Sequence, residues 1–201
     1  MADAYFATEI QTICLQDTEL NAALEHACWM LEEEDVAGQK WCDDNGYDGY
    51  TSYASLDDLT TRSPSFADLA EKLQLGANAF AAARYWDMQG QSLKLDSLWV
   101  NILGEGGIHT GHIHPNSIIS GTYYVRVPPL SGRLKLEDPR LSRMMGAPPI
   151  LADAPAEHRR FVYITPKETD ALFWESWLRH EVVAGQTEEA RISISYNFSL
   201  S

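Results

Sequence analysis

The spacing of apolar residues changes near residue 90. Before that point, apolar residues recur at intervals of three and four in two stretches, and each stretch predicts an amphipathic helix. The first begins after Asp17-Thr18, where a short side-chain oxygen can cap free backbone N–H groups. The second begins at Ser63-Pro64, with proline at the first helical position. Residues 38–55 are rich in Gly, Asp, Tyr and Ser and predict an extended loop.

From residue 91 onwards, short apolar runs with a period near two replace the helical pattern. Turn residues separate the runs, and no helical pattern lies between them, which favours a sandwich or barrel over alternating strands and helices. Residues 138–159 are rich in proline and predict a long irregular loop. The expected strands are 93–103, 117–127, 133–137, 160–164, 170–174, 178–183 and 191–198.

Length and composition indicate one soluble domain. The 201 residues are expected to form a single unit, 1–201, with 1–90 as a helical support and 91–201 as a β core. A formal net charge of −14 without a Lys/Arg cluster argues against a nucleic-acid partner. Three cysteines without a CxxC pair predict free thiols in a reducing compartment. With no signal-peptide pattern or apolar span, we expect a cytoplasmic protein without a membrane partner.

Three histidines are candidate metal ligands. His112 and His114 stand two residues apart, and side chains at i and i+2 of a strand point to the same face. His180 follows far downstream, at the end of an apolar run. Imidazole nitrogens bind Fe, Zn, Cu and Ni, so the three together predict a metal site. His109 could compete for a ligand position, and scattered histidines without a metal are the other interpretation.

The last predicted strand alternates between polar and apolar residues from Arg191 to Phe198. Its polar face, which begins with Arg191 and Ser193, either faces water or lines a pocket. In the second case Arg191 could bind a carboxylate with two parallel hydrogen bonds. Residues 184–190 form the predicted turn before this strand, which would place Arg191 close to His180 across a hairpin.

These motifs together resemble the 2-oxoglutarate/Fe(II)-dependent oxygenases, and most of all a small bacterial, prolyl-hydroxylase-like branch. The resemblance covers roughly residues 95–200 and rests on the order and spacing of the motifs rather than on any one of them. They are His112-Ile113-His114-Pro115-Asn116-Ser117, Ser120-Gly121-Thr122-Tyr123-Tyr124-Val125, Leu136-Glu137-Asp138-Pro139-Arg140, His180-Glu181-Val182 and Arg191-Ile192-Ser193-Ile194-Ser195-Tyr196-Asn197.

The resemblance implies a mainly β fold, a double-stranded β-helix or jelly roll with N-terminal helices packed outside. It implies an iron-dependent dioxygenase that couples decarboxylation of 2-oxoglutarate to oxidation of a substrate. The family's usual ligands are His-x-Asp/Glu and a distal His, which places Fe(II) on His112 and His180. His114 stands where the carboxylate is expected. Either it binds the metal, giving three imidazole ligands, or that corner is left to water.

The resemblance also implies a binding site for 2-oxoglutarate. Arg191 would pair with the far carboxylate, with Ser193 beside it. Tyr124 is similar to a family tyrosine that contacts the same carboxylate, and Tyr123 is the alternative. Asn101 is a weaker candidate. O2 and a small-molecule or peptide substrate are the expected partners, and a homodimer is left open.

Two other functions remain compatible with the sequence. One is a cupin-like enzyme with a three-histidine metal site and no use of 2-oxoglutarate, in which Arg191 binds the substrate's own carboxylate. The other is a jelly-roll binding module without catalysis, which predicts histidines too far apart to share one ion.

Overall fold

The structure, a computed structural model, describes residue 3 and residues 5–201. The long helices precede nearly all of the sheet, as the change in period predicts. The helices are α1 Thr18–Glu34, α2 Val36–Asn45, α3 Pro64–Ala83 and the short α4 Arg143–Gly146. The strands are β1 Gln11–Cys14, β2 Tyr50–Thr51, β3 Leu93–Leu103, β4 His109–His112, β5 Ile119–Arg126, β6 Leu134–Glu137, β7 Phe161–Ile164, β8 Asp170–Glu175, β9 His180–Val182 and β10 Arg191–Leu200.

The strands form two antiparallel sheets. The larger has the order β1-β8-β5-β10-β3-β2, and the smaller has the order β4-β9-β6-β7. Strands β10 and β5 are central and buried on both faces, because one face packs on helices and the other faces the smaller sheet. This two-sheet arrangement with supporting helices is the mainly β jelly roll expected from the sequence.

Helices α1 and α3 cover the outer face of the larger sheet. Asp17 caps α1 by accepting a hydrogen bond from the backbone N–H of Leu20 at 3.1 Å, as the sequence predicts. Pro64 opens α3, also as predicted. Gly76 of α3 lies against Phe173 of β8, which lets this helix approach the sheet closely. The apolar stripes of both helices therefore join the sheet in one large core.

A second, smaller core lies between the two sheets. It contains Leu134 and Leu136 from the smaller sheet and Tyr124, Leu172 and Trp174 from the larger one. The neighbouring tyrosines of β5 point in opposite directions, as alternation along a strand requires. Tyr124 faces this interior, whereas Tyr123 faces α1 and donates a hydrogen bond to Asn21 at 2.8 Å.

The prediction of an extended loop over residues 38–55 is wrong, because Val36–Asn45 is helical. The buried carboxylate of Asp35 caps this helix at the N–H of Gly38 and also accepts a hydrogen bond from Tyr50. Gly46 ends it in a left-handed conformation with φ of 62°. The helix has few apolar residues, so its periodicity is weak, and a tertiary contact to Tyr50 supports it. The predicted 138–159 loop is largely irregular but contains α4 and a turn of 3-10 helix, Ala156–His158.

Candidate metal centre

His112 and His180 lie opposite each other on neighbouring strands of the smaller sheet. They are register partners in the antiparallel pair of β4 and β9. Each ring is fixed by a backbone carbonyl two residues before it: Nδ1 of His112 lies 2.7 Å from the oxygen of Thr110, and Nδ1 of His180 lies 2.8 Å from that of Leu178. Because a carbonyl can only accept, both Nδ1 atoms carry the proton and both Nε2 atoms present a lone pair.

His114 joins the pair by a route that the sequence did not predict. Strand β4 ends at His112, so His114 lies two residues beyond the strand that was expected to carry both histidines. The backbone N–H of His114 instead donates to the oxygen of Ser176 at 3.0 Å. Its ring lies beside the indole of Trp99, with centroids 5.8 Å apart. The ring also stacks on that of His180, with centroids 5.1 Å apart.

The three imidazoles come close enough to share one ion. One ligand atom from each of His112, His114 and His180 lies within 4.8 Å of the others. The Nε2 atoms of His114 and His180 are 3.3 Å apart. Nitrogen ligands hold a first-row metal at about 2.0–2.2 Å, which is compatible with donors at these separations. The donor set therefore fits a divalent transition metal, iron included.

Burial keeps these histidines neutral near pH 7. Loss of solvation lowers the pKa of His180 to about 3 and that of His114 to about 4, with the nearby His112 acting in the same direction. Burial also lowers the pKa of His112, and the Arg179 charge adds to the effect. A neutral imidazole is the form that binds metal, so the site is prepared for an ion without a proton being lost first.

His109 lies beside the triad but outside it. Its ring centroid is 4.6 Å from that of His112, and it lines the same cavity. Its Nδ1 is 3.3 Å from the hydroxyl of Tyr47, and burial lowers its pKa to about 4. The structure thus gives His109 a hydrogen-bonding partner of its own, and the shared-ion group consists of the other three.

Arg191 is a buried cation in the same cavity. Arg191 is only 3% exposed. Among the described residues, no carboxylate lies within salt-bridge distance of its guanidinium. Nη1 donates to the hydroxyl of Ser193 at 3.3 Å, while Nε has no hydrogen-bond partner there. The hydroxyl of Tyr124 is likewise buried without a partner, and the guanidinium carbon is 5.0 Å from the centroid of its ring. A buried charge and two unpaired donors are costly unless an anion binds between them.

The polar face of β10 therefore lines a pocket rather than facing water. The predicted hairpin between His180 and Arg191 is wrong, because β9 belongs to the smaller sheet and β10 to the larger. The turn between them crosses from one sheet to the other. As a result the histidines and Arg191 line one cavity from opposite sheets. A shift in register between β10 and β5 at Ile192/Ser193 adjoins Arg191.

The remaining lining residues were only partly predicted. Asn101 lines the cavity, but its amide accepts from Thr51 at 2.9 Å and donates to Ser195 at 3.0 Å. Trp99 and Trp174 also line it and were not singled out from the sequence. Trp99 precedes Asn101 by two residues on one strand, so alternation could have found it. Within the predicted strand 170–174, residues 171–174 are uniformly apolar and offer no such signal.

A comparison with protein families shows to which family the chain belongs. The family model described as "Putative 2OG-Fe(II) oxygenase" matches residues 97–197, half of the chain. This chain belongs to that family. The match runs from within β3 to within β10 and so includes the triad, Arg191 and Ser193. A search of the curated proteins finds no match.

Several solved structures have a similar fold. A Pseudomonas putida prolyl-4-hydroxylase has 13% sequence identity and a TM-score of 0.63, with 96% of this chain and 92% of that chain covered. HygX from Streptomyces hygroscopicus, solved with nickel and 2-oxoglutarate, has 15% identity and a TM-score of 0.62, covering 96% and 83%. The α-ketoglutarate-dependent epimerase SnoN has 15% identity and a TM-score of 0.62, covering 96% and 78%. At these identities the likeness shows the fold.

Family membership makes the chain an oxygenase that uses Fe(II), 2-oxoglutarate and O2, and acts on a further substrate. Its fold is the double-stranded β-helix that was expected, with open sheets. Over the part of the chain that the structure describes, no helix has the length and apolar character to cross a membrane.

Proposed function

We propose that His112, His114 and His180 hold the Fe(II) of this oxygenase and that Arg191 holds the far carboxylate of 2-oxoglutarate. One observation carries the proposal: the guanidinium of Arg191 is buried without an acidic partner among the described residues and lines the same cavity as the triad. A dianion that reaches both groups would satisfy a charge that the protein leaves uncompensated.

Each side chain has a defined task in this site. His112 and His180 are held by the carbonyls of Thr110 and Leu178, so their Nε2 lone pairs point away from the backbone. Ser193 fixes the guanidinium of Arg191, and the unpaired hydroxyl of Tyr124 is a second donor for the carboxylate. When bound, Fe(II) would activate O2 and couple its reduction to the oxidative decarboxylation of 2-oxoglutarate. The interior between the sheets excludes water from this reaction.

The triad differs from the family's usual pattern in charge. Three neutral imidazoles leave the site one unit more positive than two imidazoles and a carboxylate would. The extra positive charge favours the dianionic cosubstrate and raises the Lewis acidity of the metal. We infer that the acidic surface, with a formal net charge of −14, suits a small-molecule or peptide substrate rather than a nucleic acid. A cytoplasmic location remains part of the proposal.

The test is conversion of 2-oxoglutarate to succinate by protein loaded anaerobically with Fe(II) and then supplied with ascorbate and O2. Slow turnover without a substrate is expected. His180→Ala should abolish metal binding. Arg191→Ala should leave metal binding intact but weaken the binding of 2-oxoglutarate. Arg62→Ala is the control, because this exposed arginine pairs with Asp58 on another part of the surface.

A three-histidine metalloenzyme that does not use 2-oxoglutarate is the second candidate, since three imidazoles are a donor set of such enzymes. It predicts one bound metal ion per protein chain and no binding of 2-oxoglutarate. That pair of results, measured by metal analysis and calorimetry on the same sample, would replace the first proposal with the second.

A further inference from the structure

A line of aromatic rings leads from the metal centre to the surface. The indole of Trp99 lies beside His114, with centroids 5.8 Å apart, and beside Tyr53, with centroids 5.1 Å apart. Trp99 is 3% exposed and lines the cavity, whereas Tyr53 is 55% exposed. Indole and phenol are the side chains that lose one electron most readily, apart from thiols. The two rings thus connect the proposed iron site to solvent through groups that can be oxidised one electron at a time.

We propose that Trp99 and Tyr53 form an electron relay. The relay passes electrons from solvent to the oxidised site after turnovers in which no substrate is oxidised. The inference rests on the proposed function, because it needs a metal at the triad. In such a turnover 2-oxoglutarate and O2 become succinate and CO2, and one oxygen atom with two oxidising equivalents remains at the site. Without an outlet, these equivalents would damage the residues that line the cavity.

The electrons and protons balance as follows. Trp99 gives one electron to the oxidised site and becomes a radical cation. Tyr53 reduces Trp99 by one electron and loses its phenolic proton to solvent. An enediol such as ascorbate then gives Tyr53 a hydrogen atom. Two such passes, with two protons from solvent entering the cavity, return the iron to Fe(II) and convert the oxygen atom to water.

Other aromatic residues near the triad do not offer the same path. Trp174 is as close, with its ring centroid 4.8 Å from that of His180, but it is buried between the sheets and contacts no exposed aromatic ring among the described residues. A second line, Trp41–Tyr47–His109, also reaches the surface. Its innermost ring is an imidazole, which is much harder to oxidise than an indole, so we expect no electron transfer along it.

The experiment uses the full chain loaded with Fe(II) and 2-oxoglutarate, mixed with O2 without substrate or ascorbate and frozen at short times. Electron paramagnetic resonance should detect a tyrosyl radical, and succinate is measured in the same sample. Tyr53→Phe should replace the tyrosyl signal with an indole radical. Trp99→Phe should remove both. Ascorbate should erase the signal in the unaltered protein.

Two controls separate this relay from general oxidation. Tyr85→Phe removes a tyrosine that is fully as accessible but has no aromatic neighbour among the described residues, and it should leave the signal unchanged. Zn(II)-loaded protein should give no radical. A tyrosyl signal that survives Tyr53→Phe while succinate forms would overturn the relay alone. Absence of succinate would overturn the proposed function and the relay with it. Tyr53 is on the surface, so its variant tests the relay even if Trp99→Phe does not fold.

Discussion

At the scale of single residues, the site contains the positive charge of Arg191, which no acidic residue of the described chain neutralises. It also contains the lone pairs of the triad histidines, which the protein orients. Arg191 is buried beside Tyr124, and both keep a donor without a partner among the described residues. The triad histidines are held neutral by burial. Both features are unfavourable for the empty protein and favourable once an anion and a cation are bound. Binding residues of this kind are expected to reduce stability in exchange for function.

Replacing Arg191 with methionine should therefore have opposite effects on binding and on stability. Arg191→Met removes a buried guanidinium but keeps most of its volume, so the metal-free protein should gain about 1 kcal/mol or more in free energy of unfolding. Binding of 2-oxoglutarate to the metal-loaded protein should weaken by about 2–5 kcal/mol. Urea unfolding and calorimetry measure the two quantities. A loss of both stability and binding would mean that Arg191 is structural.

Exchanging His114 for aspartate should restore the family's usual ligand pattern. His114→Asp should still bind one metal ion, but the site becomes one charge less positive. Binding of the dianion 2-oxoglutarate should then weaken by about 2 kcal/mol, or roughly thirtyfold in Kd. Metal analysis and calorimetry provide the readouts. His158→Asp, in an exposed turn, is the matched control and should change neither. Unchanged 2-oxoglutarate affinity in His114→Asp would argue against His114 as a ligand.

At the scale of secondary-structure elements, the site depends on strands from different sheets being held in register. The pairing of β4 with β9 places His112 opposite His180, and β10 presents Arg191 from the larger sheet. Helices α1 and α3 cover the outer face of that sheet and so support β10 from behind. The closeness of α3 depends on Gly76, because a Cβ there would collide with the ring of Phe173.

Gly76→Ala should test this support. Alanine favours the helix by about 1 kcal/mol, but the forced displacement of Phe173 in a packed core costs about 1–3 kcal/mol. We expect a net loss of stability in urea unfolding. Gly146→Ala is the matched control, since a Cβ at that helical position meets nothing within 4 Å. Equal stability of the two variants would show that α3 can move away from the sheet without cost.

At the scale of the whole molecule, four histidines with lowered pKa values lie in one cavity: His109, His112, His114 and His180. In the unfolded chain they take up protons near pH 6.5, whereas in the folded protein three of them do so only near pH 3 to 4. Between these limits the unfolded state binds more protons. These histidines therefore cost the fold no stability above pH 6.5, and they destabilise it increasingly as the pH drops towards 4.

The metal-free protein should accordingly lose stability between pH 7.5 and pH 5, while the rings of His109, His114 and His180 stay neutral in the folded state. Urea unfolding at the two pH values measures the first effect, and 15N NMR of the imidazoles measures the second. Bound metal should raise the free energy of unfolding at pH 7.5 by about 2.7 kcal/mol when the free metal concentration is a hundred times its Kd. Site histidines that titrate near pH 6.5 in the folded protein would contradict this account.

Much of the architecture could be predicted from the periodicity. Helices α1 and α3, strand β3 and strands β5 to β10 lie close to their expected positions, because their apolar spacing records which face is buried, whereas β4 was not among the expected strands. Helix α2 could not be predicted, since its support is a buried Asp35–Tyr50 contact. The prediction of a hairpin between His180 and Arg191 was wrong, because the residue pattern of a strand does not show which sheet the strand joins.

The sequence by itself determined which groups are available: three imidazoles, one arginine and the alternating strand that carries it. Local spacing is enough for this, because side-chain direction along a strand follows from its period of two. Only the tertiary structure decided that His114 lies beyond the end of β4 and still within reach of an ion shared with His112 and His180, and that Arg191 is buried without an acidic partner in the described chain. Both depend on two sheets meeting face to face, and that is a contact between residues far apart in sequence.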